Sequence, residues 1–316
     1  MPVDSAVECV PICTGSDNPP RHRSAADEGK VMAIKDILVH LDAGPRSAVR
    51  LGVAASLAAR HGAHLTGLHV IDLPSPEVFN SYPSMFMDME RVEDVLAGMR
   101  AVRLEEAAGV EADFRAALAR EGIEGEWRRV EGVVAETVAL HGRYADLIVL
   151  GQGEPVGTGS AKAADLPVGA LMGAGRPLLV VPYAGAFPNL GQTVLVGWNG
   201  TAEAARAVNE AIPLLQAASK VTVLSINPRL GIAGDGDVPA ADMALHLARH
   251  GIRAEAAHTV AVDISEGDAL LSYAADLGAD LLVCGLYGHS RLREQVFGGV
   301  TKSLLTEMTL PVFLAH

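Results

Sequence analysis

Two glycine clusters near the carboxyl terminus have the residue types and spacing of a phosphate-binding backbone. Gly285 and Gly288 come first, and after nine further residues Gly298 and Gly299 follow. The apolar run before the first cluster predicts a buried strand, and the run that begins at Lys302 predicts a helix. Glycine lets a backbone approach a ligand closely, and the first N–H groups of a helix attract an anion. The pattern therefore predicts a site for a phosphorylated small molecule at a strand end.

The spacing separates this pattern from two other phosphate-binding motifs. The dinucleotide fingerprint places its glycines closer together, and a P-loop ends in Gly-Lys followed by Ser or Thr. A mononucleotide held by two separate backbone turns fits better. The loop between the clusters also carries His289 and Arg291, which are candidates for contacts with phosphate oxygens. The alternative for both side chains is a solvated loop.

An internal repeat indicates which elements position the glycines. Residues 37–42 resemble residues 194–199, and the run that ends at Gly151 resembles the run that ends at Gly285, in the same order in both halves. Each half alternates apolar runs with helix-like segments, which predicts five parallel strands with helices on both faces. Ligands of such sheets bind beyond the carboxyl ends of the strands. Asn199 ends the first strand of the second half, so we expect it in the same crevice as the glycines.

The repeat predicts two α/β domains, residues 32–184 and 192–316, after a polar leader, residues 1–31, that we expect to be disordered. The first domain contains an insertion-like segment at residues 73–90, for which folding onto its own domain is favoured over covering the crevice or contacting a partner. Counting back from the matched prolines places Ala164 and Asp165 where the second half has its second glycine cluster. An aspartate there would repel phosphate, so the first half is predicted to have lost phosphate binding.

Composition excludes several classes of partner. The 316 residues carry a formal net charge of -13 and a pI of about 5.3, which argues against nucleic acid and against an anionic membrane surface. No apolar run approaches the roughly 20 residues that span a bilayer. Cys9 and Cys13 have no second ligand pair at metal-binding spacing, and Cys284 ends a predicted core strand. These features predict a cytoplasmic protein without a metal centre of its own.

No catalytic constellation is visible in the sequence. There is no Gly-x-Ser-x-Gly elbow and no His-Glu-x-x-His helix. His40 and His69 fall on predicted strands, where a satisfied core histidine is the favoured interpretation, and Trp198 is favoured for packing. We therefore expect either no enzymatic activity or a slow ATPase at most.

The glycine spacing and the repeat together resemble the universal stress protein family, specifically its tandem members. The family pattern is Gly-x2-Gly-x9-Gly-(Ser/Thr) after the fourth strand, with an aspartate at the end of the first strand. Gly285, Gly288 and Gly298 match that spacing, and Asp42 ends the first strand of the first half. The resemblance implies two tandem Rossmann-like domains of the adenine nucleotide alpha hydrolase-like type. It also implies a regulatory role in the stress response, with ATP or a related adenine nucleotide, accompanied by Mg²⁺, in the carboxyl-terminal domain.

The resemblance also assigns individual roles. Gly288 and Gly298 would offer backbone N–H groups to the phosphates. Gly299 stands where the family has a hydroxyl, and Thr301 is the candidate replacement. Asn199 stands where an aspartate would hold the ribose, and Ile226 ends the strand beside which adenine would lie. 

Two other classes of function are alternatives to a nucleotide-binding regulatory protein. A nucleotide-independent stress-response interaction protein is the main alternative, because Asn199 and Gly299 depart from the family pattern. An enzyme of the wider group ranks last, because neither half has the Ser-Gly-Gly-x-Asp-Ser loop that binds pyrophosphate. The resemblance implies that the two halves pair through their last strands, at residues 178–181 and 312–315. A homodimer of whole chains is the further assembly considered.

Overall fold

The computed structural model describes residues 33–73, 89–153, 161–228, 240–286 and 299–316. Three features of the sequence fall wholly or partly outside these ranges. They are the leader, most of the segment 73–90, and the loop that holds Gly288, His289, Arg291 and Gly298.

Within the described ranges, each half supplies five strands and four helices. In the first half these are β1 (Asp36–His40), α1 (Ser47–His61), β2 (His64–Ile71), α2 (Met89–Glu121), β3 (Gly125–Glu131), α3 (Val134–Gly142), β4 (Leu147–Gly151), α4 (Ala161–Ala174) and β5 (Leu178–Val181). In the second half they are β6 (Thr193–Gly197), α5 (Ala202–Gln216), β7 (Lys220–Ile226), α6 (Ala241–Arg249), β8 (Ala254–Thr259), α7 (Glu266–Leu277), β9 (Leu281–Gly285), α8 (Gly299–Glu307) and β10 (Val312–Ala315). The predicted alternation of strands and helices is confirmed.

The strands of both halves join into one ten-stranded sheet. Its order is β3-β2-β1-β4-β5-β10-β9-β6-β7-β8, so each half has the same internal order and the halves meet at β5 and β10. That central pair is antiparallel, with Val312 opposite Val180, and the other neighbouring pairs are parallel. The predicted pairing of residues 178–181 with 312–315 is therefore confirmed.

Hydrophobic burial explains why these segments are strands. Every residue of β4, β5 and β10 is buried, as expected for parallel strands covered by helices on both faces. The outermost strands β3 and β8 contain no fully buried residue. The core consequently follows the centre of the sheet and thins toward its two edges.

Helix ends follow local signals. Thr201 caps α5, its hydroxyl accepting a hydrogen bond from the backbone N–H of Ala204 at 3.2 Å, and Ser265 caps α7 in the same way. Helix α1 ends at Gly62, whose φ of 60° lies in the left-handed region that glycine adopts without strain. Helix α2, with 33 residues, is far longer than its nine-residue counterpart α6, a difference that the repeat does not predict. No helix in the described ranges is long and apolar enough to cross a membrane.

A buried glutamine connects the halves beside the central strand pair. Gln152 follows β4 and is 5% exposed. Its side-chain nitrogen donates to the carbonyls of Leu305 and Thr306 in α8, at 3.0 and 2.9 Å, and its oxygen accepts from the N–H of Tyr183 at 3.0 Å. The last turn of the helix that begins at Gly299 is thus attached to the first half.

Candidate functional site

The predicted crevice of the second half lies between β6 and β9. These strands are neighbours, with Val196 opposite Val283, and the chain leaves them toward opposite edges of the sheet. Such a divergence opens a crevice beyond the carboxyl ends of the strands. Asn199 follows β6 by two residues and Gly285 ends β9, so the structure brings these two predicted site residues to the same end of adjacent strands.

Asn199 helps to build the start of α5. Its side-chain oxygen accepts from the backbone N–H of Thr201 at 3.3 Å and from the Thr201 hydroxyl at 2.8 Å. The residue is exposed. Because the amide oxygen already has two donors, the group that remains for a ligand is the NH₂, which donates hydrogen bonds and does not accept them.

Ile226 lies at the same level as Asn199 on the next strand. Gly197 is opposite Leu224, and the N–H of Trp198 donates to the Leu224 carbonyl at 2.8 Å. Two residues beyond Leu224, Ile226 is half-buried at the end of β7. Ile226 is therefore at the same end of the sheet as Asn199, and its contact with the base of a nucleotide stays a prediction.

Gly285 has a packing role that the spacing of the glycines does not predict. A β-carbon at this position would overlap the backbone of Glu203 and Ala204, in the first turn of α5. The glycine lets α5 sit directly against the end of β9. Close approach of backbone to backbone is thus sufficient to require glycine here, and contact of Gly285 with a ligand stays a prediction.

Helix α8 begins at Gly299 and contains Thr301 in its first turn. Of the other predicted phosphate contacts, Gly288, His289, Arg291 and Gly298 lie outside the described residues. 

The first turns of α8 are linked to α7. The Ser303 hydroxyl donates to Asp268 at 2.8 Å. Hydrogen bonds with Ser265, followed by this bond from Ser303, keep the pKa of the Asp268 carboxyl below its ordinary value. Asp268 therefore lies near the start of α8, a contact between two helices that local sequence patterns do not predict.

The equivalent crevice in the first half contains an ion pair. Arg50 of α1, whose side chain is 7% exposed, reaches Asp42 after β1 with 2.7 Å between Nη2 and Oδ2. The other carboxylate oxygen accepts from the N–H of Gly44 at 2.8 Å. A β-carbon at Gly151, which ends β4, would overlap the Arg50 guanidinium. The arginine therefore fills the space between the ends of β1 and β4.

Burial and charge act in opposite directions on Asp42. Burial alone would raise the pKa of its carboxyl, but the charge and hydrogen bond of Arg50 outweigh burial and hold that pKa below its ordinary value. The aspartate is accordingly ionised and committed to Arg50. A signal for this pair was present in the sequence, because Arg50 falls on the same helical face as the buried Ala54 and Leu57.

His40 and His69 are buried in the core of the first half. His40 is 5% exposed, and burial, followed by the charge of Arg50, lowers its pKa from 6.5 to about 4. The Nδ1 atom of His69 lies 2.9 Å from the Leu41 carbonyl, and its ring stacks on Trp127 with centroids 6.1 Å apart. Both imidazoles are neutral near pH 7. His69 is satisfied by the Leu41 carbonyl, as the favoured interpretation requires, whereas the buried Nδ1 of His40 has no hydrogen-bond partner among the described residues.

A separate cleft of about 690 Å³ opens where α2 passes the ends of β2 and β3. Its walls include the apolar residues Ile71, Leu96 and Leu104. The Arg100–Glu131 ion pair lies at this cleft, with 2.5 Å between its nitrogen and oxygen. Its lining includes neither the Asp42–Arg50 pair of the first half nor any described residue of the second half that was predicted to contact a nucleotide, so it is distinct from the crevices beyond β1 and β6.

Comparison with known proteins supplies a family match. The model of the universal stress protein family matches residues 33–158 and again residues 191–316. A universal stress protein from Archaeoglobus fulgidus DSM 4304 is similar to this chain with a TM-score of 0.62 and 17% identity, over 89% of this chain and 95% of that one. A functionally unknown protein from Pseudomonas aeruginosa PAO1 is similar with a TM-score of 0.56 and 15% identity, over 90% and 92%. At these identities the likeness shows the fold alone. No curated protein matches the sequence.

Proposed function

This chain belongs to the universal stress protein family, and we propose that it is a regulatory stress-response protein whose carboxyl-terminal half binds ATP or a related adenine nucleotide. The nucleotide would bias a conformation or a partner surface. We place the protein in the cytoplasm. The first half would act as a scaffold that binds no nucleotide.

The difference between the two crevices carries this proposal. In the first half, Arg50 and Asp42 occupy the space between the ends of the first and fourth strands. In the matched repeat, Asn199 stands in place of Asp42, and the buried Ala207 stands in place of Arg50. Among the described side chains of the second half, no ion pair fills the space between the ends of β6 and β9. In the proposed complex, that space holds the ribose and the phosphates.

The direction of α8 supports binding of phosphate at this crevice. In a parallel crossover the helix returns against the strands, so the amino-terminal end of α8 lies on the side of the carboxyl ends of β6 and β9. Free N–H groups and the positive end of the helix dipole favour an anion there. Gly299 at the first position leaves that backbone without a side chain.

Mg²⁺ would reach the site with the phosphates. The described residues contain no group of three or more His, Cys, Asp or Glu side chains that could hold a metal ion. In the proposed complex the phosphates are the main ligands of the ion. Any hydrolysis would be slow, because the sequence shows no water-activating base.

The direct test is calorimetric titration of the nucleotide-stripped protein with ATP, with and without Mg²⁺. One saturable site per chain is expected. Two sites would show that the first half also binds and would contradict the role given to Arg50. Absence of heat at millimolar ATP, with no rise in Tm, would contradict nucleotide binding altogether.

A substitution locates the site. Gly298→Val places a β-branched side chain at the proposed phosphate approach and is expected to abolish ATP binding. The matched control is Ala164→Val, at the counted equivalent position of the first half, which should bind ATP normally. Normal affinity in a folded Gly298→Val protein would exclude this site.

A nucleotide-independent interaction protein is the second candidate. The observation in its favour is that the Asn199 oxygen already accepts two hydrogen bonds within the start of α5. Under this hypothesis the crevice glycines preserve backbone packing, as Gly285 does. The same titration separates the candidates, because the second one predicts no nucleotide binding in either half.

A further inference from the structure

Two histidines lie one helical turn apart at the end of α6. His246 is in the last turn and His250 is the residue that follows the helix, and both are half-buried. Their ring centroids are 4.8 Å apart, with the planes inclined at 59°. Two imidazoles that share one tetrahedral metal, with metal–nitrogen bonds of about 2.1 Å, have centroids roughly 5 Å apart. The rings are thus already at the spacing that chelation of one ion requires.

An asparagine on the neighbouring helix fixes the tautomer of His246. The side-chain nitrogen of Asn209 in α5 donates to the Ala205 carbonyl at 2.8 Å, which leaves its oxygen facing Nε2 of His246 at 3.2 Å. Because that oxygen only accepts, Nε2 carries the proton, and Nδ1 keeps its lone pair. A metal-binding histidine is commonly oriented in this way, by donating its other ring N–H to a neighbouring oxygen.

The backbone under the second histidine is also held in place. The side chain of Gln216, the last residue of α5, donates to the His250 carbonyl at 3.0 Å, and the His250 N–H donates to the Leu247 carbonyl at 2.9 Å. Both histidines are therefore anchored to α5. The carboxyl-terminal end of a helix carries partial negative charge, which adds a favourable field for a cation.

We propose that His246 and His250 form a binding site for a divalent transition-metal ion, with water in the remaining coordination positions. Imidazole nitrogen favours Zn²⁺, Ni²⁺ and Cu²⁺ over Mg²⁺ and Ca²⁺, which prefer oxygen ligands. Since the described residues contain no cluster of three such ligands, the site is an open one that exchanges its ion with solution. It is independent of the nucleotide crevice and of the function proposed for it.

The experiment is titration of the full-length chain with ZnCl₂ in a non-chelating buffer, followed by calorimetry. Cys9→Ser and Cys13→Ser form the common background, so that the leader thiols add no metal ligand. Cys284 needs no change, because burial raises the pKa of its thiol to about 12. One Zn²⁺ per chain is expected, together with a rise in Tm on metal addition.

Matched variants decide whether the pair is the site. His246→Gln and His250→Gln, which keep most of the side-chain volume, should each remove the one-site binding and the rise in Tm. His258→Gln, at an exposed histidine of β8, should retain both. Unchanged binding in either of the first two variants, or loss in the third, would overturn the proposal.

The role of Asn209 gives a second measurement. Asn209→Leu removes the oxygen that orients His246 and is expected to weaken Zn²⁺ binding by about tenfold or more, without loss of the fold. Unchanged affinity would contradict the orientation given to the His246 ring. Titration with MgCl₂ should give no site on the pair, and equal binding of Mg²⁺ would contradict imidazole ligation.

Discussion

At the scale of single residues, the two halves differ at the positions that follow and face their first strands. Asp42, whose side chain is 45% exposed, neutralises the buried guanidinium of Arg50, whereas Asn199 and Ala207 place an amide and a methyl group at the matched positions. A buried arginine without a charged partner lowers the stability of the fold, so we expect Asp42 and Arg50 to be present together or absent together. In the proposed function, the pair therefore leaves the crevice of the first half without space for a nucleotide.

The amide at Asn199 gives a prediction about affinity. Asn199→Asp restores a carboxylate that can accept the ribose hydroxyls, and charge-assisted bonds of this kind are about twice as strong as neutral ones. We expect ATP to bind about fivefold or more tightly, an increment of roughly 1 kcal/mol. Calorimetry on both proteins measures the change. Asp42→Asn, in the first half, should leave ATP affinity unaltered, and an equal or weaker affinity of Asn199→Asp would contradict the ribose contact.

The buried histidine gives a prediction about pH. The pKa of His40 is lowered from 6.5 to about 4, first by burial and then by the Arg50 charge, while Asp42 opposes the shift. Between these values the unfolded state binds the proton and the folded state does not, so stability is full above pH 6.5 and falls as the pH drops toward 4. The loss amounts to about 3 kcal/mol at pH 4.

Urea unfolding of wild type and His40→Met at pH 7 and pH 4 isolates this contribution. Other carboxylates titrate in both proteins, so the difference between the two pH-dependent losses belongs to His40. Wild type should lose about 3 kcal/mol more than the variant. Equal losses would show that His40 is protonated in the folded protein near its ordinary pKa.

At the scale of elements, a glycine that looks functional in the sequence has a packing reason. The approach of α5 to the end of β9 leaves no room for a side chain at Gly285. Gly285→Ala should therefore push α5 away and lower the free energy of unfolding by about 2 kcal/mol. Gly98→Ala is a control for which we expect a change of stability in the opposite direction. Gly98 is an exposed glycine of α2 with open space around it, so alanine should raise stability by roughly 0.5–1 kcal/mol. A destabilisation of Gly98→Ala equal to that of Gly285→Ala would contradict the packing argument.

The elements themselves were largely predictable from the repeat. The runs that end at Gly151 and Gly285 are β4 and β9, and they were recognisable because strands buried on both faces leave an unbroken apolar signal. The length of α2 was not predictable, since the repeat carries no information where the halves differ. The contacts of Arg50 with Gly151 and of Gln152 with α8 were also missed, because they join elements that only the sheet order brings together.

At the scale of the whole molecule, the Gln152 side chain connects the halves through two hydrogen bonds to α8 and makes a third, within the first half, with the Tyr183 N–H. Gln152→Leu leaves the Tyr183 N–H and the carbonyls of α8 without these partners and should cost about 1–3 kcal/mol of stability. Gln216→Leu, which removes a glutamine-to-carbonyl bond at an exposed position, should change stability by less than about 0.5 kcal/mol. Urea unfolding of both variants measures the two changes in the free energy of unfolding. Equal changes would mean that the Gln152 contact stabilises the protein no more than an exposed hydrogen bond does.

The covalent connection between the halves has a consequence for how this molecule can diverge. In a pair of identical subunits, every substitution at the two-fold seam appears twice and must suit both sides. Here β5 and β10 belong to one polypeptide, so the residue after β4 is glutamine while its counterpart after β9 is the buried Leu286. Both make the same backbone bond, from Gln152 to Val181 and from Leu286 to Ala315. A single polypeptide therefore frees each side from self-complementarity, so that a substitution in one half is not imposed on the other.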